Sequence, residues 1–199
     1  VMFTGDRGLK TLLESGVLQQ QVSLANYTTW RVGGPAEWLA EPNDAEQCLL
    51  LLQWAQTKGL TTQVIGAGSN LLIADAGLPG LTLCLRRLQG SQLDAESGQV
   101  KALAGEPLPT LARRAAKLGL HGLEWAVGIP GTVGGAAAMN AGAQGGSTAD
   151  CLTSVEVIDR SLKDAVKTTS ILSNADLAYD YRQSLLQGSK HLVIAAQFQ

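Results

Sequence analysis

The chain is poor in the side chains that hold metals and carries no excess of positive charge. Its three cysteines, Cys48, Cys84 and Cys151, are odd in number, scattered and each set in an apolar context. That pattern favours reduced core thiols over disulfides or a zinc site. With only His121 and His191 beside them, no metal is expected. Lys and Arg number 15 against 17 Asp and Glu, a net charge of −2. Such a balance gives no broad surface for nucleic acid or an anionic membrane, although it leaves room for a narrow positive pocket. No apolar run approaches the ~20 residues that cross a bilayer, and the first residues contain no apolar signal core. The expectation is a cytoplasmic protein. A Gly-x-x-x-x-Gly-Lys-Ser/Thr sequence, the mark of a nucleoside triphosphate loop, is also missing.

What is present is a globular composition and much glycine. The 199 residues, 45% hydrophobic and 16% charged, suffice for a core in one domain, or in one domain with a small lobe. From Gly128 to Ala143, five of sixteen residues are glycine and none is charged. Pro130-Gly131 reads as a turn and Thr132 as the cap of a helix that opens on glycine and alanine. Two readings of this stretch stand side by side. An exposed helix start with small residues offers N–H donors to an anion; alternatively, the glycines serve a tight turn and a closely packed core helix.

Taken in order, residues 6 to 15 place Leu9, Leu12 and Leu13 at helical spacing before Gly16. Asn26 to Ala36 reads as an ordered loop ending in Gly-Gly-Pro, with Arg31 as either a surface cation or a ligand contact. A strand over 36–41 leads into Asn43 with Glu46 three residues on, a capping-box pattern. The helix that follows buries Cys48, Leu52 and Ala55 and stops at Gly59. Residues 62–65 resume as a strand, so a right-handed crossover with a parallel strand pair is expected. This strand runs into Gly66-Ala67-Gly68-Ser69-Asn70-Leu71. Leu71 stands where the third glycine of a dinucleotide fingerprint belongs, which excludes a Rossmann unit. What survives is a nest of N–H groups suited to phosphate oxygens, with a plain strand-to-loop turn as the other reading.

Strands are expected at 81–85 and 99–104, and a helix from near Pro107 or Pro109 to Gly119 carries Arg113, Arg114 and Lys117 on a solvated side. Gln144 to Thr148 reads as a flexible loop. Ser154 to Asp159 alternates into a strand, with residues 165–169 as its hairpin partner. Tyr179-Asp180-Tyr181-Arg182-Gln183-Ser184 gathers a planar cation and two phenols, suited to orienting a carboxylate or phosphate, or else a surface turn packed on the sheet. His191 to Phe198 reads as an apolar strand.

In this order, Asn26 to Ala36, Gly66 to Leu72, Gly128 to Gly135, Met139-Asn140-Ala141-Gly142-Ala143 and Tyr181-Arg182-Gln183-Ser184 resemble the bacterial UDP-N-acetylenolpyruvoylglucosamine reductases, flavoenzymes of peptidoglycan precursor synthesis. The ordered set is far more specific than any one glycine motif. The resemblance implies an α+β fold of the vanillyl-alcohol-oxidase (PCMH) type: a small N-terminal α/β lobe over residues 1–85 and a larger α+β lobe over 86–199, which clasp FAD. It assigns Gly66, Ala67, Gly68, Ser69, Asn70 and Leu71, then Gly128, Ile129, Pro130, Gly131, Thr132, Gly134, Gly135, Asn140 and Gly142, to the cofactor. Arg182 matches the catalytic arginine and Tyr181 its neighbour on the substrate side. NADPH is implied as hydride donor and a UDP-sugar as substrate. The family's proton-donating serine lies in a Gly-Ser-x-Phe-Lys-Asn-Pro-like segment of a third, substrate-binding domain, assisted by a later glutamate, and neither follows Arg182 here. Ser184 and Ser189 stand in the wrong context to replace that serine. The expectation is therefore a partial product, with an FAD site and an incomplete active site. Two other readings stay open: another FAD oxidoreductase of this fold, or a non-catalytic nucleotide-binding module.

Overall fold

The computed structural model describes residues 4–160 and 169–199 and divides into two compact units, Val1–Arg87 and Leu88–Gln199. The boundary expected from sequence lay near residue 85.

The first unit begins with α1 (Thr4–Glu14), followed by β1 (Leu18–Ser23) and β2 (Pro35–Ala40), which pair antiparallel. Helix α2 (Ala45–Thr57), β3 (Thr62–Ile65) and β4 (Leu78–Cys84) complete it. The sheet order is β1-β2-β4-β3. The expected parallel relation of β2 and β3 is present only indirectly. Each pairs parallel with β4, which lies between them. Non-local strand order of this kind leaves no mark in either strand's own sequence.

Helix α2 starts one residue later than its sequence suggests. Asp44, not Asn43, is the cap: its Oδ1 accepts the Gln47 N–H at 2.8 Å, while Gln47 Oε1 reaches back to the Asn43 N–H at 2.9 Å. Both residues are good caps, and the Gln47 side chain decides between them. At the other end Gly59 takes φ +65°, the left-handed turn that closes a helix with least steric cost. Cys48, Leu51, Leu52 and Ala55 are buried. Trp54 packs edge-on to Trp38 of β2 with ring centroids 4.9 Å apart. The core under this sheet gathers Leu24, Ala36, Leu39, Ile65, Ile73 and Cys84.

The second unit is built on a five-stranded antiparallel sheet. Its members are β5 (Ser91–Leu93), β6 (Val100–Leu103), β9 (Leu152–Asp159), β10 (Ser170–Ser173) and β11 (His191–Phe198), ordered β10-β9-β11-β6-β5. The apolar strand at 191–198 is thus central, with Leu192 to Ala196 buried. Of the hairpin partner expected at 165–169, residues 165–168 lie outside the described residues; the strand that pairs with β9 is 170–173. Helix α3 (Leu108–Lys117) buries Leu108, Leu111, Ala112 and Ala115. Arg113, Arg114 and Lys117 are all exposed as expected, and Arg114 also reaches the buried Glu106 at 3.7 Å.

Between α3 and β9 lie α4 (Val133–Met139), β7 (Gly142–Ala143), β8 (Gly146–Ser147) and α5 (Thr148–Cys151). The loop expected to be flexible at 144–148 is instead a tight hairpin. Gln144 and Gly145 both take positive φ, 52° and 85°, as a two-residue turn matched to strand twist requires. Glutamine in the first of these positions hid the turn, because asparagine or glycine is its usual signal.

Candidate functional site

The turn after β3 is organised by an arginine that carries no motif. Arg86 lies just past β4. Its Nε donates to the Gly66 carbonyl at 3.3 Å, Nη2 to the carbonyls of Ala67 at 2.7 Å and Tyr27 at 2.9 Å, and Nη1 to that of Asn26 at 3.4 Å. The Gly68 carbonyl accepts from the Thr29 N–H at 3.3 Å. No peptide bond among the described residues is cis, and in a trans peptide the N–H points opposite to the C=O. With the carbonyls of residues 66 and 67 turned toward Arg86, the N–H groups of Ala67 and Gly68 are directed the other way. Successive donors facing away from the guanidinium are the arrangement that an anion-binding nest uses.

Glycine is required at residue 68. It takes φ +69°, and a Cβ there would stand 1.8 Å from the Tyr27 carbonyl oxygen. Tyr27 is itself fixed. Its hydroxyl donates to Glu41 Oε2 at 3.2 Å, and Arg87 reaches the same oxygen at 3.4 Å. Burial, then the Glu41 carboxylate, pushes the Tyr27 phenol above its ordinary pKa, so it stays a neutral donor. Arg31, the cation weighed as a ligand contact, is exposed in a positive-φ turn at 55°.

The glycine-rich stretch of the second unit behaves differently from expectation at its helix start. Thr132 is the cap, its Oγ1 accepting the Gly135 N–H at 3.4 Å. The next donors are also engaged: Val133 N–H bonds the Glu106 carbonyl at 3.0 Å and Gly134 N–H the Ala104 carbonyl at 2.8 Å. The first turn of α4 therefore does not present its N–H groups to an anion, because the chain around β6 and α3 already accepts them. Gly134 serves packing. It is buried, and a Cβ would lie 2.8 Å from that of Ala104. Gly142 makes room for its hairpin partner, where a Cβ would lie 2.7 Å from the Gly146 oxygen. Gly128 is the contrasting case: it is exposed, and a Cβ there would meet nothing within 4 Å. Its small size is not needed by the fold.

The last turn of α4 is where the unit anchors the segment that carries Arg182. A helix leaves its final carbonyls without internal partners, and here side chains supply them. Tyr179 OH donates to the Ala137 carbonyl at 3.0 Å, Ser184 Oγ to that of Ala138 at 2.6 Å, and Thr148 Oγ1 to that of Ala136 at 3.2 Å. Burial, with a smaller effect of Cys151, raises the Tyr179 pKa well above its ordinary value. The segment 179–184 is thus tied to the helix end by two hydroxyls, and Ser184 is engaged as a clamp. Asn140, in the left-handed conformation at φ 42°, uses both ends of its amide internally: Nδ2 to the Asp180 carbonyl at 2.9 Å and Oδ1 from the Ala149 N–H at 3.0 Å. Expected at the cofactor, its side chain instead pins two segments together.

Between these anchors Asp180 to Gln183 forms a reverse turn, closed by Gln183 N–H to the Asp180 carbonyl at 3.0 Å. Arg182 occupies its third position with φ +56°, where glycine is the unstrained choice. Gln187 Nε2 holds the Arg182 carbonyl at 2.8 Å, and Arg182 Nη2 reaches the Gly142 carbonyl at 3.3 Å. Tyr181 is 83% exposed beside it, with the guanidinium carbon 6.0 Å from its ring centroid. Arg182, Tyr181, Asn140 and Gly142 are therefore neighbours. Arg86 is the residue that sequence reasoning missed; its only signal is a charge placed directly after the buried run Leu81 to Leu85.

Residues 36–161 match the family described as FAD binding domain. The UDP-N-acetylenolpyruvoylglucosamine reductase of Synechococcus sp. (strain CC9311) is 88% identical over 198 residues, covering 100% of this chain and 64% of the relative. The reductase of the same name from Synechococcus elongatus is 52% identical over 193 residues, covering 96% and 61%. The chain thus spans less than two thirds of these relatives' length. Among solved structures, UDP-N-acetylenolpyruvylglucosamine reductase from Thermus caldophilus superposes with a TM-score of 0.72 at 34% identity, over 92% of this chain and 62% of that one. An alkyldihydroxyacetonephosphate synthase gives 0.68 at 18% identity, over 98% and 42%, a likeness of fold alone. The α+β fold is that of the vanillyl-alcohol-oxidase (PCMH) type; along its length the chain is similar to part of the UDP-N-acetylenolpyruvoylglucosamine reductases, and it belongs to the FAD binding domain family.

Proposed function

We propose that the chain is the flavin-holding part of a reductase that converts UDP-N-acetylenolpyruvoylglucosamine to UDP-N-acetylmuramate with NADPH as hydride donor. The observation that carries the reading is the pair of successive N–H groups at Ala67 and Gly68, directed away from the Gly66 and Ala67 carbonyls that Arg86 holds. Such a nest suits the diphosphate of FAD. Gly128, clear of the rest of the fold, and the exposed Gly135 suit the close approach of a large flat ligand. The residues present fit the cofactor, with one change from expectation: Gly134, Asn140 and Gly142 contribute by shaping the second unit. Ile129, Pro130, Gly131 and Thr132 remain in the reading as the loop that lies against the ligand, and Asn70 and Leu71 as the end of the diphosphate turn.

The chemistry that FAD supplies when bound is hydride transfer, from NADPH to the enolpyruvyl double bond. Arg182 then has a defined task. Negative charge develops on the substrate carboxylate as the double bond is reduced, and a guanidinium that is always protonated and binds two oxygens at once stabilises it. Tyr181, exposed at the same turn, lines the substrate side. The reading includes a cytoplasmic location beside the nucleotide substrates and calls for neither nucleic acid nor a membrane.

The test is the absorption spectrum of the purified protein. A flavin band that titrates to one FAD per chain supports the reading, and a folded protein that neither carries nor takes up flavin overturns it.

A further inference from the structure

The contacts of Arg86 go beyond those of a surface arginine. It gathers carbonyls from two segments remote in sequence, Asn26 and Tyr27 on one side and Gly66 and Ala67 on the other. Its guanidinium carbon also lies 5.3 Å from the centroid of the Tyr27 ring, whose hydroxyl donates to the Glu41 carboxylate that Arg87 pairs with. Carbonyl dipoles brought together in this way repel one another unless a cation lies among them. The rigid fork of five N–H donors is the side chain able to serve several acceptors at once. Turning the carbonyls of Gly66 and Ala67 inward is what turns the N–H groups of Ala67 and Gly68 outward. A positive charge behind those donors adds to their attraction for an anion in front.

We propose that Arg86 is a positioning residue for diphosphate: without touching the ligand, it sets the direction of the N–H donors at Ala67 and Gly68 that bind the phosphate oxygens. The inference rests on the flavin reading above and assigns to one side chain the geometry of the turn on which that reading depends. It separates Arg86 from Arg182, whose task lies with the substrate in the second unit.

Arg86→Lys keeps the charge but not the fork, and Arg86→Met keeps neither. Equilibrium titration with FAD, read by quenching of flavin fluorescence, is expected to give affinity about tenfold weaker for Arg86→Lys and about a hundredfold weaker for Arg86→Met. With each variant saturated, the phosphorus resonances of bound FAD shift from their wild-type positions while the flavin absorption band stays in place. A merely structural role would lower the unfolding temperature without moving the phosphorus signals of the folded, saturated protein. Wild-type affinity and unmoved phosphorus resonances in Arg86→Lys would overturn the inference, and that variant decides the matter alone if Arg86→Met does not fold. A wild-type protein that binds no FAD would instead bring down the flavin reading itself.

Discussion

Asn140 and Asp180 are joined by a 2.9 Å hydrogen bond from the Asn140 amide to the Asp180 carbonyl, which fixes the end of α4 to the turn that carries Arg182. The same asparagine adopts φ 42°, so its backbone and side-chain roles can be separated by mutation. Asn140→Gly keeps the left-handed conformation and removes both amide bonds. The expected loss is about 1–3 kcal/mol of stability for the two hydrogen bonds, measured by urea unfolding, with FAD binding retained. Unchanged stability would show that the pin is dispensable.

Arg182 stands at φ +56°, a conformation that costs a residue with a side chain about 1–2 kcal/mol. Strain of this kind persists where the side chain is needed. Arg182→Gly is expected to leave the urea midpoint no lower than wild type. In a reductase chain that also carries the substrate-binding domain, it should leave NADPH-driven flavin reduction unchanged and slow reduction of the enolpyruvyl group by about a hundredfold or more. Rapid-mixing absorbance separates the two half-reactions. An equal loss in both would remove Arg182 from the substrate side.

Two glycines provide a matched comparison. At Gly68 a Cβ would lie 1.8 Å from the Tyr27 oxygen, with φ +69°, whereas at Gly128 it would meet nothing within 4 Å. Gly68→Ala should therefore destabilise the protein by about 3 kcal/mol or more, and Gly128→Ala by less than about 0.5 kcal/mol. If Gly128 lies against FAD, its alanine variant keeps the wild-type melting temperature and binds FAD less tightly. Wild-type FAD affinity in Gly128→Ala would take that residue out of the cofactor reading.

Alkaline pH should weaken the fold through its buried thiols. Burial pushes Cys48 from 9.0 up to about 12 and Cys151 from 9.0 up to about 11, and raises Cys84 as well. The unfolded chain then loses these protons first, so the stabilisation is complete below pH 9 and declines as pH rises through 11 to 12. Within that window each such thiol removes up to about 1.4 kcal/mol per pH unit. Urea unfolding from pH 7 to 11 should show a plateau and then a decline, less steep in Cys48→Ala. A decline of equal steepness in that variant would assign the effect to other groups.

Local periodicity made α2, α3 and the central strand at 191–198 legible, because each has one buried face or a buried run that its own residues declare. Strand order was not legible: nothing within β2 or β3 indicates that β4 separates them. The Gly66–Ser69 turn was legible as a run of small residues, but the Arg86 side chain that holds its carbonyls was not, since four carbonyl acceptors leave no residue-type signature. The glycine-rich stretch was legible as a place of close approach. Which approach each glycine serves, Ala104 for Gly134 and the facing hairpin strand for Gly142, is a three-dimensional property. The Tyr179–Ser184 segment shows the same division: its chemistry was evident, but not that Tyr179 and Ser184 would close the end of α4.

The central place of β11 has a consequence for biosynthesis. The first unit has all its strands once Arg87 has left the ribosome, whereas β6 and β9 wait until residues 191–198 emerge before a strand can fill the gap between them. A nascent chain paused between those points carries a first unit whose described strands are all made, joined to a second unit with two unpaired strand edges, the state most open to chaperones and to aggregation.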